Sequence, residues 1–294
     1  MFMRVLFGVV ILGCAIFAVV RVGHGANAAS KTPIPAAKVD QPLASTPGKE
    51  SAVFAGGCFW GTQAVFERVK GVIKTTAGYA GGSAATATYD QVTTETTGHA
   101  ESVEVVYDPS KITYGQLLRI FFSVAHDPTQ LNRQGPDVGT SYRSAIFFIG
   151  EDQKRIASAY IVQLDSAKVF PGRIVTEVTP LKGFYRAEDY HQDYALHNPT
   201  NPYIQVCDRP KIDSLKQQFP DLFVDYEGRH YTNFSRLEPL LRHSPLQRFR
   251  ENHSTSKDGP HREAEPVQLL PCLRKLCSGM NSETSEMHSP KLDW

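Results

Sequence analysis

Gly56-Gly57-Cys58-Phe59-Trp60-Gly61 sets one thiol between glycines and an aromatic pair. The apolar stretch 51–55 runs into it and reads as a strand. Residues 58–69 then take helical periodicity, with Phe59, Ala64, Val65, Phe66 and Val69 apolar. A thiol at such a strand-to-helix turn meets the unpaired N–H groups of a helix start, which favour an anion. Its pKa is therefore expected to be lowered, which makes it a nucleophile. A buried structural cysteine among aromatics is the plainer alternative. The glycines, which expose the turn, favour the nucleophile.

Three further clusters carry candidate chemistry. Gly98-His99-Ala100-Glu101 precedes an alternating stretch, so Glu101 stands at a strand start. It becomes a general acid where apolar neighbours raise its pKa, and is otherwise a solvated strand end. His99 offers a base for Cys58, which is the arrangement of a cysteine hydrolase. Residues 134–144 form a polar, glycine-bearing loop with Asp137, feeding the most apolar strand of the chain. Residues 187–194 are dense in acid, His and Tyr, but no companion cluster stands at ligand spacing, so no metal is expected.

The elements that must position these groups follow from pattern. Strands are expected at 51–55, 72–79, 102–107, 144–149 and 174–179. Helices are expected at 58–69, 113–125 with Thr113 as N-cap, 151–170 and 212–219. Strands and helices intersperse with long loops, which points to an α+β domain with a mixed sheet. The chain has 294 residues, 41% hydrophobic and 21% charged, with a net charge of +1. That composition is globular, and it lacks the basic excess that nucleic-acid binding uses. Five cysteines are too few for a disulfide scaffold.

Residues 1–29 read as a signal peptide or N-terminal anchor. Arg4 supplies the positive charge, 5–20 are apolar, and Ala26-Asn27-Ala28-Ala29 offers a cleavage site. Cys14 lies inside the apolar run. The protein is expected to be exported, periplasmic or secreted; the alternative is an inner-membrane anchor formed by residues 5–20. Residues 30–49 are a Pro/Ala-rich stretch that reads as an extended linker. Residues 50–226 form the catalytic domain, and 227–294 read as a disordered tail.

In their order along the chain, these segments resemble the A-type peptide methionine sulfoxide reductase family. The resemblance is carried by Gly57-Cys58-Phe59-Trp60-Gly61, Ala77-Gly78-Tyr79, Thr88-Tyr89, Gly98-His99-Ala100-Glu101, Val106-Tyr107-Asp108-Pro109 and His126-Asp127-Pro128. It continues through Gly139-Thr140-Ser141-Tyr142-Arg143-Ser144 and Ala187-Glu188-Asp189-Tyr190-His191-Gln192. It implies a two-layer α+β sandwich, a central mixed β-sheet flanked by helices, with a ferredoxin-like core.

The implied reaction reduces the S epimer of methionine sulfoxide. Cys58 attacks the sulfoxide sulfur and Glu101 protonates the oxygen. Tyr89 and Tyr142 hydrogen-bond that oxygen. Phe59 and Trp60 hold the substrate methyl, Asp137 contacts the substrate backbone, and His191 lies near the cleft. Cys58 is left as a sulfenic acid, which a resolving thiol turns into a disulfide. Thioredoxin or a similar dithiol reduces it, and no cofactor is bound. The implied partners are oxidised proteins or peptides and the thioredoxin-type reductant; a monomer is expected, without nucleic acid.

The sequence departs from the family at recycling. Many members carry a Gly-Tyr-Cys segment, where this chain reads Asn198-Pro199-Thr200-Asn201-Pro202-Tyr203-Ile204-Gln205-Val206-Cys207. Cys207 is the best resolving candidate, against the alternative of a half-buried packing residue. Cys272 and Cys277 fall in the unmatched tail.

Overall fold

The expected first strand, helix and second strand are β1 (Glu50–Gly56), α1 (Phe59–Phe66) and β2 (Val72–Ala80). They belong to a computed structural model that describes residues 34–225. The leader 1–29, the tail 227–294, and Cys14, Cys272 and Cys277 lie outside the described residues. The chain continues through β3 (Ala100–Tyr107), α2 (Tyr114–Ile120), β4 (Ser144–Phe148), α3 (Glu151–Ser166), β5 (Glu177–Pro180), β6 (Phe184–Arg186) and α4 (Arg209–Gln218).

The six strands form one mixed sheet in the order β5-β4-β1-β3-β2-β6. Only β4 and β5 run parallel; every other pair is antiparallel. With helices packed against it, this is an α+β fold. β1 is central because it is apolar on both faces: Ala52 to Ala55 are all buried. Phe54 stacks on Phe66 of α1 and on Phe121 behind α2, with ring centroids 5.3 and 4.9 Å apart. All eight residues of α1 are buried, so this helix has no polar face to expose. The result is a rigid platform, with Cys58 at the end of β1, Glu101 at the start of β3 and Tyr142 just before β4.

Several boundaries differ from the expected ones for local reasons. The helix expected at 113–125 starts as foreseen, with a capping box between Thr113 and Gln116. Its α-helical hydrogen bonding ends at Ile120, and Phe121–Ala125 form a π-turn. The wider turn puts both Phe121 and Phe122 in the core, and His126 closes it by donating from Nδ1 to the Phe121 carbonyl. The helix expected to reach 170 stops at Ser166, where Lys168 turns left-handed at φ 50°. The strand expected at 174–179 is confined to Glu177–Pro180 on the sheet edge. The last helix starts earlier than expected, at Arg209, since Pro210 fits a first helical turn.

Residues 34–49 are extended, but they are not a free linker. Ile34 is buried, and its carbonyl accepts from Arg119 of α2. The Pro35 carbonyl accepts from the Tyr160 hydroxyl of α3 at 2.6 Å. Gln163 of α3 accepts from Lys38 N–H and donates to the Ala36 carbonyl. Asp40 takes the Gly115 N–H at 2.9 Å and the Thr113 hydroxyl at 2.5 Å, so it acts as a second cap on α2. A Cβ on Gly115 would lie 2.4 Å from that carboxylate, which explains the glycine. The segment is a strap over the groove between α2 and α3. Composition alone suggests a linker, because all of these bonds except those of Asp40 go to the segment's backbone, which composition does not reveal. Asp40→Ala is expected to cost about 1–2 kcal/mol. Urea unfolding checks this, and an unchanged midpoint would show that the strap does not support α2.

Candidate active site

The turn into α1 is built by glycine. Gly57 has φ +85°, and a Cβ there would meet Gln134 at 2.5 Å. Cys58 follows as the N-cap of α1, buried with 8% exposure. The first helical N–H, that of Phe59, does not serve the thiol. It donates to Glu101 Oε2 at 3.0 Å. Cys58 and Glu101 are thus held together by the helix start, one on the turn and the other on β3. The Cys58 thiol lies beside the Glu101 carboxyl, close enough for each to act on the other's pKa.

The lowered thiol pKa expected of a helix start is not what the site produces. Burial, and then the charges of Glu101, Asp208 and Asp137, push the Cys58 thiol well up. The Trp60 amide, which pulls the other way, is outweighed. Desolvation of a charged form exceeds one helix turn's dipole when the group is this deeply buried. The same burial pushes Glu101 up to about 8, against the hydrogen bond from Phe59 N–H. Glu101 is therefore a carboxylic acid at neutral pH, with a proton to give.

Both groups open into a small cavity of about 20 Å³, room for a methyl or a water-sized group. Phe59 and Trp60 form its apolar wall; Tyr89 and Tyr142 bring hydroxyl-bearing rings, and Asp137 and Tyr203 complete the lining. Tyr89 sits on a one-turn helix, Tyr89–Val92, and its N–H donates to Glu188 at 2.9 Å. Tyr142 sits on a 3-10 turn, Thr140–Tyr142. Asp137 lies on a small ribbon, Arg133–Gln134 paired with Asp137–Val138, and accepts from the Tyr203 hydroxyl at 2.5 Å.

Two of the expected site residues lie outside the cavity lining. His191 does not line the cavity. It lies behind the wall, where its Nδ1 accepts from the Trp60 indole N–H at 3.2 Å, and its ring is 4.6 Å from that of Tyr89. Burial pushes its pKa down to about 4, so it is a neutral support for two cavity walls rather than a substrate contact. Cys207, the resolving candidate, is half-buried on a π-turn, Ile204–Asp208, and does not line the cavity either. Burial and then Asp208 push its pKa up to about 11.

His99 is no base for Cys58. Its Nδ1 accepts from Gly82 N–H, and its Nε2 donates to the Ser83 carbonyl at 2.9 Å, so both ring nitrogens are spent on a loop. Sequence reasoning missed Tyr203, which lines the cavity and holds Asp137. A tyrosine four residues before Cys207 carries no local signal, since the ribbon it reaches is 66 residues away. Among the described residues no group of three or more His, Cys, Asp or Glu is placed to hold a metal ion.

A buried thiol beside a protonated carboxylic acid, facing an apolar wall and two tyrosines, defines a thiol enzyme with a built-in acid. The family model of peptide methionine sulfoxide reductase matches residues 50–222, and the chain belongs to that family. Peptide methionine sulfoxide reductase MsrA 2 of Mesorhizobium japonicum is 60% identical over 181 residues, covering 62% of this chain and 93% of that protein. Its namesake from Synechocystis is 52% identical over 189 residues, covering 64% and 88%. Among solved structures, methionine sulfoxide reductase A of Corynebacterium diphtheriae is similar with a TM-score of 0.46 and 40% identity, covering 57% of this chain and 84% of that one.

Proposed function

We propose that the protein is a peptide-methionine (S)-S-oxide reductase in which Cys58 and Glu101 work as one proton-sharing pair. The observation that carries this is their junction at the start of α1, where Phe59 N–H holds Glu101 against the thiol. The substrate methyl packs on Phe59 and Trp60, and the sulfoxide oxygen lies towards Glu101, Tyr89 and Tyr142. Glu101 gives its proton to that oxygen. The Cys58 sulfur attacks the sulfoxide sulfur, and the thiol proton passes to Glu101 and restores it. The two tyrosine hydroxyls stabilise charge as it develops on the oxygen. The protonated oxygen then passes as hydroxyl from the substrate sulfur to the Cys58 sulfur while the bond between the two sulfurs breaks; methionine leaves and Cys58 becomes a sulfenic acid, so sulfur is reduced on one side and oxidised on the other. Asp137, held by Tyr203, is placed to accept from the substrate backbone.

Recycling is assigned to direct attack on the Cys58 sulfenic acid by thioredoxin or a similar dithiol. This releases water and leaves a mixed disulfide, which the second thiol of the carrier resolves. Cys207 is disfavoured as the resolving thiol, because it lies outside the cavity and its high pKa leaves little thiolate. After one turnover without reductant, one thiol is expected to be lost, with a dimedone adduct on Cys58 and Cys207 still open to alkylation. Loss of two thiols, with a Cys58–Cys207 disulfide, would reinstate Cys207.

The ferredoxin-like reading of the core is supported by the run β1-α1-β2-β3-α2-β4 and the antiparallel order β4-β1-β3-β2 within the sheet. Export is supported by the pattern of residues 1–29, with anchoring through 5–20 as the alternative. The whole reading is tested by assaying resolved epimers of N-acetylmethionine sulfoxide, first with a small dithiol and then with thioredoxin. Turnover of the S epimer with both is expected. Equal turnover of the R epimer would sink it.

A further inference from the structure

Tyr142 does not belong to a long element; a single 3-10 turn carries it, and such turns need outside support. The support here comes from one carboxylate. Glu95 Oε2 accepts from the Ser141 N–H at 2.8 Å and from the Thr140 hydroxyl at 3.1 Å. Glu95 Oε1 accepts from the Ser141 hydroxyl at 2.6 Å. The fit is close enough that a Cβ on Gly139, the residue before the turn, would sit 2.3 Å from that carboxylate. Glu95 itself stands in the left-handed region at φ 63°, a backbone state that non-glycine residues adopt at a cost.

The clamp is reciprocal. Arg143, just after the turn, donates to the carbonyls of Gly98 at 3.0 Å and His99 at 3.1 Å. It also donates to the Thr140 carbonyl at 2.9 Å and pairs with Glu177. The 95–99 stretch thus grips the Tyr142 turn through Glu95, and is gripped in return through Arg143. That stretch leads straight into Glu101.

We propose that Glu95 is a positioning residue for the reaction, clamping the turn of Tyr142 against the approach to the Glu101 strand. This rests on the roles assigned above to Tyr142 and Glu101. Glu95 touches no reacting atom. Its charge also reaches the site: together with burial and Asp137, it favours the protonated form of Glu101. The other groups facing Glu101 are the Cys58 thiol and the Phe59 amide, with the rings of Tyr89, Tyr142 and Tyr203 around the same cavity. Tyr79 lies within its electrostatic reach.

The test compares wild type, Glu95→Ala, Glu95→Gln and Glu101→Gln in the full chain. It reads the single-turnover rate of methionine formation from N-acetylmethionine S-sulfoxide across pH, together with the half-saturating concentration. Glu95→Ala is expected to slow the step roughly 10–100-fold with little change in half-saturation, as for a displaced transition-state contact. Glu95→Gln can still accept from Ser141 N–H, so it should keep most of the rate at low pH. With the negative charge gone, Glu101 loses its proton more readily, and the falling limb should move to lower pH. A rate within about twofold of wild type in Glu95→Ala, with an unmoved limb in Glu95→Gln, would overturn the clamp, provided Glu101→Gln is slowed at least about 100-fold in the same assay. A Glu101→Gln rate close to that of wild type would overturn the underlying site reading, and the clamp with it.

Discussion

Cys58→Ser is expected to abolish methionine formation, bringing it down to the uncatalysed rate. Serine fills nearly the same volume at the N-cap and suits that position at least as well, so the fold should survive. The chemistry should not. A hydroxyl is a far weaker nucleophile, and its counterpart of the sulfenic acid would be a hydroperoxide, a stronger oxidant than the sulfoxide that would have to form it. The variant should unfold at the wild-type urea midpoint and bind substrate, yet give no methionine in a single turnover. Residual reduction at more than about a thousandth of the wild-type rate would mean that another thiol carries the reaction.

Glu101→Gln is expected to slow the same step by roughly 10²–10⁴-fold, the range ascribed to a positioned proton donor. Glutamine keeps an oxygen for the Phe59 N–H, so the start of α1 should hold. What it lacks is a proton acidic enough to give to the sulfoxide, and a base to receive the thiol proton. The pH dependence follows with a definite sign. The active form carries protonated Glu101, whose pKa is raised to about 8 by burial. Wild-type activity should therefore fall as pH rises through about 8, and this limb should be missing from the variant's residual rate. A variant that matches wild type, or that keeps the limb, assigns the proton to another group.

The parts of the site that were legible in sequence are those written in contiguous residues. Gly57-Cys58-Phe59-Trp60 reads as a strand-to-helix turn with a thiol and an aromatic wall, and the structure has that turn. Glu101 reads as an acid at a strand start, and β3 begins at Ala100. The protonation states were half legible. The raised pKa of Glu101 was conditional on apolar neighbours, which α1 provides. The raised pKa of the thiol is not legible, because a helix start is a local feature, whereas the burial that raises it is a tertiary one.

The remainder depended on long-range contacts. Tyr203 meets Asp137 across 66 residues, and the Asp40 carboxylate meets Gly115 across 75. Neither pairing leaves a periodicity or a spacing to read. The π-turn after α2 was hidden for another reason. Its residues, Phe121 to Ala125, are all buried and continue the helical pattern, so the extra residue in the turn changes the bonding without changing the apolar signature. His191 was placed near the cleft correctly in space but on the wrong side of Trp60, a distinction that only the indole hydrogen bond makes.

The central claim is that Cys58 takes the oxidation from one epimer of the substrate. Fully reduced protein, mixed with each resolved epimer in the absence of any reductant, tests it most directly. The methionine released is counted, and the oxidised residue is mapped after trapping. The account predicts one equivalent of methionine from the S epimer, essentially none from the R epimer, and a trapped sulfenic acid on Cys58 in matching amount. Methionine released while Cys58 stays reduced, or in equal amounts from both epimers, would contradict it.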